Sequence, residues 1–426
     1  MARFLVATMP IPGHVAPFRP VVRRLVERGH EVVWYGSTYY QQRITSTGAR
    51  FAPIERGIDY GDGDYDRHFP GRRDKSGLRQ VIWDFDVMFA AQMPAFIDDL
   101  VDLNKEFDAD VLLHDTVLSG FAFQRVTGVP AAQLNVTVAS YQVAGVPPFG
   151  LGLPYATGPI GRARNALAYA LVDTVVFRRP NATFRRIALT RNWPVRPMRP
   201  SLSDHLTLQP SVPEMDYPVD AWPDTFHFIG PLLPEREAFT EPSWWSELRD
   251  GRRVVLVTQG TVATASDQLI IPTLRGLTYD EDVLVIAATG GPTAADLGVA
   301  VPGNAHVEPF IPFAEIMPFV DAYVTNGGFG GVTTALAHGV PVVAGGRTED
   351  KTEVAARVRR SGVGIDLRTA TPTPAQVRAA VRDVLEDGSY RRRAEQVRDA
   401  MAGHDAATEA AELLEKVAGQ KPAYRY

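Results

Sequence analysis

Cysteine is missing from all 426 residues. That absence excludes a disulfide framework, an iron–sulfur cluster and thiolate zinc sites, and it fits a cytoplasmic protein. A large excess of charge of one sign is also missing. The net charge is −5 and the pI about 6.0, so there is no electrostatic footprint for nucleic acid or an anionic membrane. No run of about 18 apolar residues occurs, so no helix is expected to span a bilayer. The N-terminal MARFLVATMPIPGHVAP has a short apolar run leading into a Gly-His turn, unlike a signal peptide. Short repeats and low-complexity segments are absent, and the histidines show no metal-ligand spacing.

What is present is ordinary for a globular protein: 45% apolar and 22% charged residues. The length exceeds one usual core and suggests two domains. RFLVAT at 3–8 is a continuous apolar run, as in a strand buried on both faces. FRPVVRRLVERGH then repeats apolar residues at helical spacing and stops at a glycine, and EVVWYGS is a second strand. This βαβ pattern recurs at 108–117 and 129–137. Residues 57–76 and 143–161 are expected as long loops. Residues 206–246 carry many prolines and little periodicity, as a linker would. Beyond them the pattern restarts, with strands expected at 252–261, 282–290, 305–310, 321–328 and 340–346. The fold class is therefore α/β, with two Rossmann-like, doubly wound parallel sheets.

The densest signal is VTNGGFGGVTTALAHGVPVV at 324–343. Four glycines crowd the corner between a strand and a helix. Glycine there lets backbone approach a ligand, and the helix start offers free N–H groups, which suits phosphate. The spacing is neither G-x-G-x-x-G nor a P-loop. Glycines serving only a tight turn are the competing reading.

Residues 307–367, from VEPFIPFAEIMPF through GGRTEDKTEVAARVRRSGVGIDL, resemble the donor-binding signature of inverting nucleotide-sugar glycosyltransferases with the GT-B fold. The GHVAP turn and the HD at 114–115 match as well. The resemblance implies an acceptor-binding domain over 1–205, a linker over 206–250, a donor-binding domain over 251–405, and a terminal helix over 406–426 crossing back to the first domain. It implies that Phe310 stacks on the base and the Ile311 backbone bonds it. Asn326 stands where relatives have a phosphate-binding histidine. Gly328, Gly330 and Gly331, with Gly260 and Thr261 opposite, would hold the diphosphate without a metal or other cofactor. Thr334 replaces a ribose-gripping glutamate, a change compatible with dTDP as well as UDP. Asp350 and Lys351 replace the sugar-holding Asp-Gln pair, with Glu349 an alternative carboxylate and Lys351 free to reach the sugar, the diphosphate or solvent. Asp62 and Asp64 are expected as solvated turn residues.

By the same resemblance His14 is the general base and Asp115 orients it. An acceptor hydroxyl needs such help at neutral pH. His114 is expected to be structural. Acceptor-wall candidates are Trp83, Phe85, Phe89, Phe123, Tyr141 and Phe149, facing a small apolar natural product such as a polyketide, macrolide or phenolic. The expected partners are a nucleotide sugar and that acceptor, with no nucleic acid and no stable membrane insertion, in a monomer or homodimer. A nucleotide-sugar epimerase on the same fold and a non-catalytic nucleotide-sugar-binding protein remain alternatives, as does C- rather than O-glycosylation.

Overall fold

The computed structural model describes residues 1–75, 77–220, 222–235, 239–260 and 266–420. Its first sheet contains β1 (Arg3–Ala7), β2 (Glu31–Gly36), β3 (Arg50–Pro53), β4 (Val111–Asp115), β5 (Ala131–Leu134), β6 (Leu206–Gln209) and β7 (Phe226–Phe228). The second contains β8 (Arg253–Thr258), β9 (Val283–Ala288), β10 (Ala305–Glu308), β11 (Ala322–Thr325), β12 (Val342–Ala344) and β13 (Gly364–Asp366). The spatial orders are β3-β2-β1-β4-β5-β6-β7 and β10-β9-β8-β11-β12-β13, parallel throughout. The order reverses between β1 and β4 and again between β8 and β11. Those two switch points, at the carboxyl ends of the strands, are where open α/β sheets bind ligands.

Burial on both faces explains the unbroken apolar runs. In β1, Phe4 and Val6 enter one core cluster while Leu5 and Ala7 enter another. In β8, Val254 and Leu256 face one core and Val255 and Val257 the other. The helix Phe18–Glu27 buries Phe18, Val21, Val22 and Leu25, the i, i+3, i+4, i+7 stripe of an amphipathic helix. It ends before Gly29, whose φ of +82° suits glycine.

The stretch read from sequence as a linker, 206–250, is partly sheet: β6 and β7 form the far edge of the first sheet, so the crossing follows Phe228. Proline punctuation around two very short strands hid them. The last helix, Ala406–Gly419, packs Ala410, Ala411, Leu414 and Val417 into the core beneath β1 and the helix Phe18–Glu27. Each large apolar side chain so buried contributes ~1.5–3 kcal/mol. Glu415 on this helix receives Arg28 at 2.7 Å and His30 at 2.7 Å. The Arg28 hydrogen bond holds the Glu415 carboxyl down at about 2. No helix among the described residues is long and apolar enough to cross a membrane.

Candidate active site between the two sheets

β1 delivers its chain into Met9–Ile11 and then the one-turn helix Pro12–Val15, which carries His14. β4 ends on Asp115, at the neighbouring strand end. His14 Nδ1 lies 2.9 Å from Asp115 Oδ2. The carboxylate is fully buried and also accepts the N–H groups of Met9 at 2.6 Å, Val117 at 2.9 Å and Leu118 at 3.2 Å. Burial alone would raise the Asp115 carboxyl. The neighbouring His14 ring and those backbone donors outweigh it and hold the group below its usual value. A carboxylate so satisfied accepts from Nδ1–H, leaving Nε2 of the neutral imidazole as an acceptor. His114, one residue earlier, is buried with its Nδ1 2.7 Å from the Asp115 carbonyl, and burial pushes its imidazole below the usual value.

The equivalent corner of the second sheet has an amide, Asn326, where the first has its carboxylate. β11 runs into Asn326-Gly327-Gly328 and the helix Phe329–Ala337, whose N-cap Gly328 provides no side-chain cap. The first N–H groups of that helix are therefore open to a ligand. Asn326 Nδ2 donates across to the Gln259 carbonyl after β8, and its Oδ1 accepts from Gly328 N at 3.3 Å. The residue thus staples two loops together, and among the described residues its second amide hydrogen has no partner. Glycine is needed behind this corner: a Cβ on Gly346 would sit 1.8 Å from the Asn326 carbonyl oxygen. Gly260, Gly328, Gly330 and Gly331 all line the same cavity. Thr261 lies outside the described residues.

Other donor-side residues differ in their freedom. Phe310 is 64% exposed at the cavity rim, whereas Ile311 beside it is buried in the core. Thr334 Oγ1 donates to Gly330 O at 2.8 Å, so its hydroxyl hydrogen is already used and only lone pairs face the cavity. Lys351 does not point to solvent: it is buried, with Nζ against Glu349 and 3.3 Å from Thr348 Oγ1. Glu349, at φ +55°, adopts the left-handed conformation that non-glycine residues rarely hold. Asp350 Oδ2 accepts the Thr137 hydroxyl of the first domain at 2.7 Å, and burial pushes this carboxyl up.

A cavity of about 1000 Å³ joins both corners. Phe85, Phe89 and Phe149 line it. Three acceptor candidates do not. Tyr141 is buried behind the wall, accepting from Gln133 at 2.9 Å, donating to Asn135 and packing on Phe226. Phe123 is core, fully buried. Trp83 turns away to pack edge-on against Phe69 under the Lys75 ammonium. Each lies on an apolar stretch, and single-sequence periodicity cannot separate a core face from a cavity face.

The sequence reading missed a further part of the wall. Asp84–Ala90 and Val172–Val176 are π-helical turns continuing the helices Gly77–Trp83 and Pro159–Leu171. Such wide turns often mark functional sites because they re-aim side chains. Here they bring Phe85 and Phe177 edge to face at 4.8 Å, with Met88 and Val176 beside them. Arg72 and Asp84, 3.0 Å apart, form the polar edge of this wall, and burial raises the Asp84 carboxyl. Asp62 instead serves its own loop, pairing with Arg67 and His68, and Asp64 caps the short helix Tyr65–His68.

Residues 277–417 match the family described as Erythromycin biosynthesis protein CIII-like, C-terminal domain. Over 421 residues the chain is 40% identical to 4′-demethylrebeccamycin synthase of Lentzea aerocolonigenes, covering 97% of this chain and 99% of the relative. Among solved structures it is similar to CalG4, the calicheamicin glycosyltransferase, with a TM-score of 0.75 at 18% identity over 99% of both chains. It is similar also to the spinosyn rhamnosyltransferase SpnG complexed with thymidine diphosphate, with a TM-score of 0.69 at 19% identity, over 97% of this chain and 100% of the other. Kinship of this extent, on a fold of two parallel sheets that share a cavity, assigns the chain: it belongs to the GT-B glycosyltransferases of the antibiotic and natural-product type.

Proposed function

We propose that this glycosyltransferase moves a sugar from a UDP- or dTDP-linked donor to a hydroxyl of a small apolar acceptor, with inversion at the anomeric carbon. The observation that carries the reading is the 2.9 Å His14–Asp115 contact in the wall of a cavity that also holds an uncapped helix start. The acceptor hydroxyl gives its proton to His14 Nε2 as its oxygen bonds to the anomeric carbon. The bond from that carbon to the diphosphate oxygen breaks on the opposite face, and the nucleoside diphosphate leaves with the electron pair. Asp115 holds the ring in the tautomer that can accept and stabilises the imidazolium that forms. The N–H groups at Gly328–Gly331 face the charge growing on the diphosphate, a placement that favours the transition state over the ground state. No metal ion is required by this account, because the N–H groups of this helix start meet the leaving group.

The kinship with 4′-demethylrebeccamycin synthase and the aromatic wall support a small apolar natural-product acceptor. The thymidine diphosphate in the SpnG complex makes dTDP the first nucleotide to test beside UDP. His14→Ala should lower transfer by roughly 10²–10⁴-fold, the usual contribution of a general base. Calorimetric titration with dTDP and UDP should give affinities within about twofold of the wild type, since His14 belongs to the other sheet. Transfer that survives in His14→Ala sinks the dyad assignment. Binding of neither nucleotide to the wild type sinks the donor site.

A further inference from the structure

Three residues into the helix Lys351–Ser361 stands Glu353, an acid with side-chain exposure of 1%. Its Oε1 accepts two backbone N–H groups from the first domain, Gly152 at 2.8 Å and Gly150 at 3.1 Å. Its Oε2 takes Arg357 Nη1 at 2.8 Å. Arg357, itself fully buried, continues to Asp216 Oδ1 at 3.1 Å and to the Ala139 carbonyl, and lies 3.9 Å over the Tyr217 ring. All of those partners belong to the first domain. The loop is shaped for this approach. Gly150 and Gly152 have φ of +89° and +57°, and a Cβ on Gly152 would meet Thr352 Cγ2 at 2.4 Å. Phe149 and Leu151, which alternate with these glycines, line the cavity.

We propose that Glu353 is a positioning residue that ties the Phe149–Leu151 wall of the acceptor cavity to the helix bearing Asp350 and Lys351, so that the acceptor pocket takes shape only against the donor domain. A carboxylate is suited to the task because it offers lone pairs on both sides: one oxygen for two amides, the other for a guanidinium. Glutamine is not equivalent. Either orientation of its amide aims an NH2 at donors, at the glycine N–H groups or at Arg357. The consequence is selective: loosening the tie degrades acceptor binding, while the glycine corner that holds the diphosphate stays as it is.

This inference rests on the functional reading above, and two readouts on the full-length protein separate them. The first is amide hydrogen exchange in peptides spanning 145–158, with and without dTDP. The second is steady-state transfer from dTDP-glucose to 4-methylumbelliferone, with hydrolysis of dTDP-glucose measured alongside. Glu353→Gln is expected to speed exchange at 150 and 152 by at least tenfold. It should raise the KM for 4-methylumbelliferone about tenfold while the dTDP-glucose KM stays within twofold, and shift the balance from transfer toward hydrolysis. Should Glu353→Gln fail to fold, Gly152→Ala is expected to give the same split through the clash with Thr352, and Gly152→Ala with Thr352→Ser to recover part of it. Unchanged exchange at these amides, or both KM values rising together, overturns the proposal. Fast amides in the variants of a wild type that transfers no sugar from dTDP-glucose overturn the acceptor reading and leave the tie itself supported.

Discussion

The corner after β1 and β4 and the corner after β8 and β11 occupy the same place in two sheets of the same design, yet they are built from opposite materials. In each, a polar side chain at the end of the later strand reaches across to the turn after the earlier one. In the first sheet a carboxylate, Asp115, accepts the Met9 N–H at 2.6 Å. In the second an amide, Asn326, donates to the Gln259 carbonyl. The sign of that cross-link sets what each corner can serve. An acceptor of N–H groups leaves a negative charge beside His14 and so supports a base. A neutral amide leaves the helix start at Gly328 with its own positive potential, which supports an anion. On the proposed reading, one topology supplies proton removal on one side of the cavity and charge acceptance on the other.

The largest expected effect comes from removing the charge at the first corner. Asp115→Asn would make it resemble the second, with an amide where three N–H groups now meet a carboxylate. Transfer should fall by roughly 10²–10⁴-fold through loss of the correct His14 tautomer. Donor-to-donor contacts should cost about 1–3 kcal/mol of stability, read from denaturant unfolding. The acid limb should change as well. The Asp115 carboxyl lies below its unfolded value in the folded protein, so its stabilisation is complete above that value, about 3.9, and is lost as the pH falls below it. Asp115→Asn should therefore lose part of the acid sensitivity of unfolding. Unchanged turnover in this variant would remove the contrast between the corners.

Phe310 tests the second corner without touching the first. Its ring is mostly exposed at the cavity rim, unlike the buried aromatic residues around it. If a base stacks there, Phe310→Ala should weaken dTDP and UDP binding by about 1–3 kcal/mol, with little loss of folding stability. Full affinity in this variant, measured by calorimetry, would move the base elsewhere along the rim.

How much of this was legible in the sequence follows the same divide. The second corner announces itself because its chemistry is contiguous: a strand, a run of glycines and a helix lie within 324–343. His14 and Asp115 are separated by a hundred residues, and their pairing followed from the family pattern rather than from spacing. The long strands were readable because both of their faces are buried. β3 (RFAP), β6 (LTLQ), β7 (FHF) and β13 (GID) are short and interrupted by polar, proline or glycine residues, so no apolar run marks them, whereas the equally short β12 reads VVA. The aromatic wall of the cavity was the least legible part. Phe85 and Phe89 line the cavity while Phe123, equally apolar and also helical, is core. Two π-helical turns with no sequence signature make part of that difference. Glu353 was hidden for another reason: an acid in a helical segment reads as solvent-facing until its partners from the other domain are in view.

The smallest expected effect concerns Thr334, and it sharpens the comparison most finely. By the family resemblance Thr334 stands where relatives carry a ribose-gripping glutamate, so a side chain is the expected reader of the nucleotide. The structure spends its hydroxyl hydrogen on Gly330 O at 2.8 Å, so the second corner depends on backbone here too. Thr334→Val keeps the shape and removes the hydroxyl. If the hydroxyl serves only the helix, dTDP and UDP affinities should each shift by no more than about 0.5 kcal/mol, in the same direction, because back-bonding of this kind contributes little to a helix. A loss confined to UDP would instead show the Thr334 oxygen accepting from the 2′-hydroxyl that dTDP lacks. The second corner would then read its nucleotide with a side chain after all.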